Sequence, residues 1–157
     1  MKNKFFLLVF TLNIWTILNI FAIDKLPSAA GSKNNLKKAN VNFFEGNFKA
    51  ALAKAKEEQK MIFIDCYTSW CRPCKLMDSI LESDPKLSNF LNENFVCLSI
   101  NMERGEGPRL KRKYPLGTYP TLLFIKNNGV LKNKFIGLPE YGAAEILNFA
   151  KLASRKY

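Results

Sequence analysis

Trp70-Cys71-Arg72-Pro73-Cys74-Lys75 is the stretch that decides how the rest of the chain is read. It follows the apolar run Met61-Ile62-Phe63-Ile64-Asp65-Cys66-Tyr67, whose β-preferring residues mark a strand buried on both faces. Thr68-Ser69 breaks that run, and from about Cys71 onward Leu76, Met77, Ile80 and Leu81 fall in helical register. The two cysteines therefore stand where a strand feeds a helix, the sheet edge at which α/β proteins place active sites. A cysteine opening a helix has its thiolate favoured by free backbone N–H groups and by the positive end of the macrodipole. Arg72 adds positive charge in the same place. Since the thiolate is the nucleophile, bringing its pKa toward ambient pH raises the reactive fraction. Three positions on, Cys74 comes round to the same side, close enough to close a disulfide, and Pro73 stiffens the turn between them. This geometry is expected to expose Cys71 and tuck Cys74 away.

Two other uses of such a pair fit the chain poorly. Half of a zinc site would need Cys66 and Cys97 as its remaining ligands, because the chain has no histidine, and strand geometry argues against that set. Haem attachment requires a histidine after the second cysteine, and Lys75 stands there. The absence of histidine also removes Ser-His and Cys-His catalysis and imidazole proton shuttles. No metal and no cofactor beyond the Cys71–Cys74 pair itself is expected.

Working outward, NFKAALAKAKEEQK (47–60) is dense in helix formers, with Phe48, Ala51, Leu52 and Ala55 on one face. On the other side, Asp84-Pro85 interrupts the helix that begins at the cysteines, and KLSNFLNEN forms a further short one. FVCLSINM (95–102) reads as a second buried strand, and RLKRKY (109–114) as a short basic helix with a solvated face rather than a nucleic-acid patch. Thr121–Lys126 and Val130–Ile136 are strands joined by the Asn127-Asn128-Gly129 turn. Pro139 suits the first turn of a terminal helix ending near Ser154. The order helix, strand, helix, strand, helix, hairpin, helix predicts an α/β domain with a central mixed β-sheet flanked by helices.

The chain has 157 residues, 48% of them hydrophobic and 13 of them Phe, which is enough for one well-filled core. Its net charge of +11 is spread along the sequence rather than gathered, so it tunes solubility and partner choice. Lys2 and Lys4 precede an apolar stretch from Phe5 to Ile23, so residues 1–23 read as a signal peptide or an N-terminal membrane anchor. Either puts the domain outside the cytoplasm, in the periplasm or cell envelope. Residues 24–40 are rich in Ser, Lys, Asn, Gly and Ala and read as a flexible linker, leaving 41–157 as the folded domain.

WCRPCK resembles the WCxPCK active-site motif of the thioredoxin family. Three further features stand in the family's order: Asp65 at its buried acid, Thr118-Tyr119-Pro120-Thr121 at its cis-proline loop, and Gly137 at the glycine beside its substrate groove. The resemblance runs from about Phe43 to Ala153, and the FEGNFKAALAKAKEEQK lead-in is similar to exported bacterial members. Some of those receive electrons across the membrane. About 45 residues separate Cys74 from Pro120, close to a plain thioredoxin.

The resemblance implies a thioredoxin fold and a thiol–disulfide oxidoreductase. In it Cys71 attacks a substrate disulfide, Cys74 resolves the product, and Asp65 acts on Cys74 as a base. Pro120 would be cis and face the pair, leaving the Tyr119 backbone free to join an extended substrate peptide. Trp70, Arg72, Pro73 and Gly137 would complete the substrate-binding rim. The implied partners are oxidised client proteins and an upstream thiol electron donor, a membrane electron transporter being one such donor, with a monomeric chain and no nucleic acid. Proline before the second cysteine resembles reductases, and an oxidase, an isomerase or a non-catalytic holdase module remain the alternatives. Arg72 replaces the usual Gly, Cys66 a usual aromatic, and Tyr119 the common Ile, Val or Thr. Cys97 lies near where many members carry a Lys beside the buried acid. Cys66 and Cys97 are read as buried small hydrophobes rather than a second redox pair.

Overall fold

The computed structural model describes residues 40–155. The expected leader over 1–23, the linker up to residue 39 and the last two residues lie outside the described residues. Asn40, placed by sequence at the end of the linker, is already tied to the domain. Its carbonyl accepts from Asn92 Nδ2 (3.1 Å), and the Asn92 side chain in turn accepts from Asn42 N–H (2.8 Å).

Helix α1 (Phe48–Glu57) starts where Asn47 turns its side chain to accept the Ala50 N–H at 2.9 Å. Strand β1 (Met61–Tyr67) follows, and its residues Ile62 to Cys66 are all buried. Helix α2 (Arg72–Ser83) carries the second cysteine and ends at Asp84. The Asp84 carboxylate caps the next helix, accepting from Lys86 N–H (2.6 Å) and Leu87 N–H (3.2 Å), with Pro85 as the first residue of α3 (Pro85–Asn94). After β2 (Phe95–Asn101) comes the basic helix α4 (Gly107–Lys113), then β3 (Thr121–Ile125), β4 (Leu131–Ile136) and α5 (Ala143–Ser154).

The sheet order is β2-β1-β3-β4, with β1 parallel to β2 and antiparallel to β3, and β3 antiparallel to β4. Side chains alternate across it, so two cores form. Phe63, Cys97, Leu122 and Phe124 meet Met77, Leu81, Leu87, Leu91 and Ile146 from α2, α3 and α5. Ile62, Ile64, Cys66, Leu98 and Leu123 meet Phe48, Ala51, Ala55 and Leu110 from α1 and α4. Helices thus cover both faces, as the sequence order predicted. Each large apolar side chain buried in these layers contributes about 1.5–3 kcal/mol. No helix among the described residues is long and apolar enough to cross a membrane.

The largest difference in boundary from expectation is at the last helix, while the first helix ends three residues early and α4 begins two residues early. Pro139 was placed in the first turn of the last helix, which instead begins at Ala143. Gly142 takes φ 64°, ψ −152°, and the Glu145 carboxylate reaches back to accept from Tyr141 N–H at 3.0 Å. That turn fixes the helix start four residues beyond the proline.

Candidate active site

The carboxyl end of β1 feeds through Thr68, Ser69 and Trp70 into α2, and Cys71 is the N-cap residue of that helix. Its Sγ accepts the Cys74 backbone N–H at 3.1 Å, the place a serine or aspartate oxygen takes at other helix starts. The two cysteines are joined as a disulfide with a Cα–Cα separation of 5.3 Å. Both are buried, Cys71 with 3% and Cys74 with 2% of its surface exposed. The expected contrast in exposure is therefore absent. What distinguishes the two is electrostatic, since only Cys71 sits ahead of the first helical turn and takes an N–H from it.

The loop before β3 arrives at the same edge. Cys66 pairs in register with Thr121, so Pro120 lies just past the end of that pairing, and the Tyr119–Pro120 peptide is cis. Gly137 N–H donates to Pro120 O at 2.9 Å, fastening the end of β4 to the loop, and Gly137 itself has φ 81°. The Tyr119 ring stands edge-on to Trp70, with centroids 6.3 Å apart. Trp70 is 69% exposed and its indole N–H is shared between the two Glu103 carboxylate oxygens at 3.0 and 3.1 Å. Arg72 and Pro73 are exposed at the first turn of α2. The fold thus gathers Trp70, Arg72, Pro73, Tyr119, Pro120 and Gly137 at the edge that holds the disulfide.

Asp65 is 1% exposed. Its Oδ2 accepts from Ser99 Oγ at 3.2 Å, while Oδ1 has no hydrogen-bond partner among the described residues. Burial, reinforced by the negative charge of Asp78 and opposed by the Ser99 hydrogen bond, pushes its pKa up to about 7. Asp78 lies four residues after Cys74 on α2, so the helix turns both toward the same side. That places Asp65 on the sheet face that the Cys74 side of α2 covers. A cavity of about 330 Å³, lined by Phe43, Tyr67, Asp78, Leu81, Glu82 and Ser99, opens over the partners of this carboxyl.

Ser99 and Asp78 were not singled out from sequence. The signal for Ser99 lay in the strand register, since Asp65 and Ser99 each stand two residues before the end of their seven-residue strands. The residue beside the acid is thus Ser99, whereas Cys97 pairs two positions earlier, opposite Phe63. Cys66 and Cys97 are both free and buried, one in each core. Burial pushes the Cys97 thiol up to about 12 and raises the Cys66 thiol as well.

Known proteins agree with this geometry. A family model described as thioredoxin-like matches residues 44–127. The thioredoxin of Buchnera aphidicola is 27% identical over 108 residues, which cover 69% of this chain and 92% of that protein. Among solved structures, a candidate disulphide-isomerase from Bacteroides thetaiotaomicron superposes with a TM-score of 0.66 at 36% identity, covering 77% of this chain and 98% of that one. An oxidoreductase named DsbH superposes with a TM-score of 0.65 at 22% identity, covering 80% and 94%, a likeness of fold alone. With more than half its length matching the family model and a Cys71–Cys74 disulfide at the helix start, the chain belongs to the thioredoxin-like family and is a thiol–disulfide oxidoreductase.

Proposed function

We propose that the chain is a disulfide reductase acting on client proteins of the cell envelope. The observation that carries the exchange chemistry is the Cys74 N–H directed at Cys71 Sγ (3.1 Å) at the head of α2, and Pro73 before the second cysteine supports the reductive direction. In the reduced protein the same donor and the helix terminus stabilise a Cys71 thiolate. That thiolate attacks one sulfur of a client disulfide, the client S–S bond breaks, and the other client sulfur leaves as a thiolate. A mixed disulfide then joins the client to Cys71. Asp65, with its pKa near 7, takes the proton from Cys74, and the Cys74 sulfur attacks Cys71 Sγ. The client leaves with both sulfurs reduced, and the protein holds the Cys71–Cys74 disulfide seen in the structure. An upstream thiol donor must return two electrons before the next turn.

During attack the client lies extended along the Tyr119–Pro120 loop. Pro120 lacks an N–H, so the Tyr119 backbone is the group that pairs with it. Trp70 and Gly137 border the groove. The basic, apolar leader of residues 1–23 supports export, which an alkaline phosphatase fusion to residues 1–40 would test. No such fusion activity would mean a cytoplasmic protein.

Equilibration with glutathione, read by alkylation of Cys71 and Cys74, tests the direction of exchange. A reduction potential near about −270 mV fits a reductase, whereas a value near about −120 mV would make the protein an oxidase. A specific observation favours a second reading, isomerase, because the 36% identical Bacteroides protein is described in those terms. Regain of activity by scrambled ribonuclease, faster than with dithiothreitol alone, would select it.

A further inference from the structure

One cation at the rim beside the disulfide is held against an aromatic ring. Lys111 extends from α4 so that its Nζ sits 5.4 Å from the centre of the Tyr119 ring, the same ring that stands against Trp70. Gly107 makes this placement possible. A Cβ there would lie 2.0 Å from Asn101 O, so only glycine lets α4 start this close to the end of β2. The exposed residues of α4 include Arg109, Lys111, Arg112 and Lys113. Arg109 pairs with Glu106 at 3.4 Å, and Lys113 lies over the Phe48 and Tyr114 rings at 5.3 and 5.2 Å. Among the described residues no carboxylate pairs with Lys111, Arg112 or Arg72. Glu103 is the nearby acid, and its carboxylate is turned to the Trp70 indole.

Tyr119 is the residue whose backbone a client would join, so a charge over its ring borders the client itself. The ring face holds the Lys111 ammonium while the residue stays exposed to an arriving client. Arg72, next to Cys71, adds charge from the α2 side, and the net charge of +11 draws anions from a distance.

We propose that Lys111 selects clients whose disulfide is flanked by a carboxylate, so that the preferred substrate is an acidic extended segment. This rests on the reductase reading. The test uses the reduced full-length protein and two synthetic peptides with one internal disulfide each, identical except for Glu or Lys residues beside the cysteine. The second-order reduction rate is measured for both at low and high salt. The acidic peptide should react about fivefold faster at low salt, the difference shrinking as salt is added. Lys111→Glu should reverse the order and Lys111→Gln should narrow it. Lys86→Gln, on α3 across the sheet, should keep the wild-type ratio. Because the ratio is internal to each sample, partial unfolding of a variant does not mimic the effect. Equal rates for the two peptides, or a ratio unchanged in Lys111→Glu, overturn the inference while leaving the reductase reading intact. No reduction of either peptide overturns both.

Discussion

Ser99 Oγ donates a hydrogen bond to Asp65 Oδ2 at 3.2 Å across the parallel pairing of β1 and β2. Ser99 is exposed while Asp65 is buried, so this hydroxyl is the polar link between the acid and the cavity over it. The other influences on Asp65, burial first and then the charge of Asp78, both disfavour the carboxylate. Ser99 alone among them favours it. The acid is therefore poised near neutrality by opposed effects from three directions.

Ser99→Ala removes the one group that stabilises the charged form. The Asp65 pKa should rise further above about 7, by up to roughly one unit given what a hydrogen bond to a charged group is worth. Carbon NMR of the labelled carboxyl across pH reads this directly. The pH midpoint for resolving the mixed disulfide should move the same way. An unmoved midpoint would show that solvent from the cavity replaces the hydroxyl.

Asp65→Asn separates stability from catalysis. The folded pKa lies above the ordinary 3.8, so the native state holds this proton more tightly than the unfolded chain. Its stabilising effect is complete below about pH 4 and is lost as pH rises through about 7. Above that, the wild type carries a poorly solvated charge that asparagine lacks. The variant should match the wild type near pH 3 and exceed it at pH 8, by about 2–4 kcal/mol as an order of magnitude. Urea unfolding at both pH values measures this. Resolution of the mixed disulfide should slow by about tenfold or more at pH 7, with formation little changed. Stopped-flow kinetics that show wild-type resolution from pH 6 to 8 would leave Asp65 a structural role only.

The sequence was most legible where local pattern and tertiary packing agree. MIFIDCY became β1 over the residues expected, because an unbroken apolar run has little choice but the middle of a sheet. The cysteine pair at the helix start was readable from Thr68-Ser69 and the register of Leu76 to Leu81. The start of α5 was less so, since it depends on Gly142 adopting positive φ and on Glu145 reaching back, neither visible in composition. Equal burial of Cys71 and Cys74 was also hidden, because helix position says which cysteine precedes the first turn and not how much of each is covered. The surroundings of Asp65 required the β1–β2 register, which no single segment encodes.

Cys66 and Cys97 should stay unpaired through repeated redox cycles. They belong to opposite sheet faces, so a bridge between them would have to pass through the sheet. Burial keeps both thiols protonated, which also makes them slow to alkylate in the native state. Peptide mapping of the oxidised protein should find neither labelled when folded and both labelled in denaturant without reduction. A Cys66–Cys97 crosslinked peptide would contradict the assigned faces.

The two active-site cysteines should differ sharply although their exposure does not. Cys71 lies ahead of the first turn of α2 and accepts the Cys74 N–H, so its thiolate gains from the helix terminus. Cys74 lies within the helix and depends on Asp65 for deprotonation in the mechanism proposed above. Cys71→Ser should therefore abolish insulin reduction, since serine is a far weaker nucleophile and leaving group at neutral pH. Cys74→Ser should also lose turnover but keep the attacking thiolate, and mixed disulfides with clients should accumulate. Non-reducing gels of cells expressing each variant read the difference as adducts that collapse with dithiothreitol. The serine left at position 71 could still cap the helix, so Cys71→Ser should unfold no more readily than the reduced wild type. Adducts trapped by Cys71→Ser but not by Cys74→Ser would reverse the roles, and helix position would then not be what selects the nucleophile.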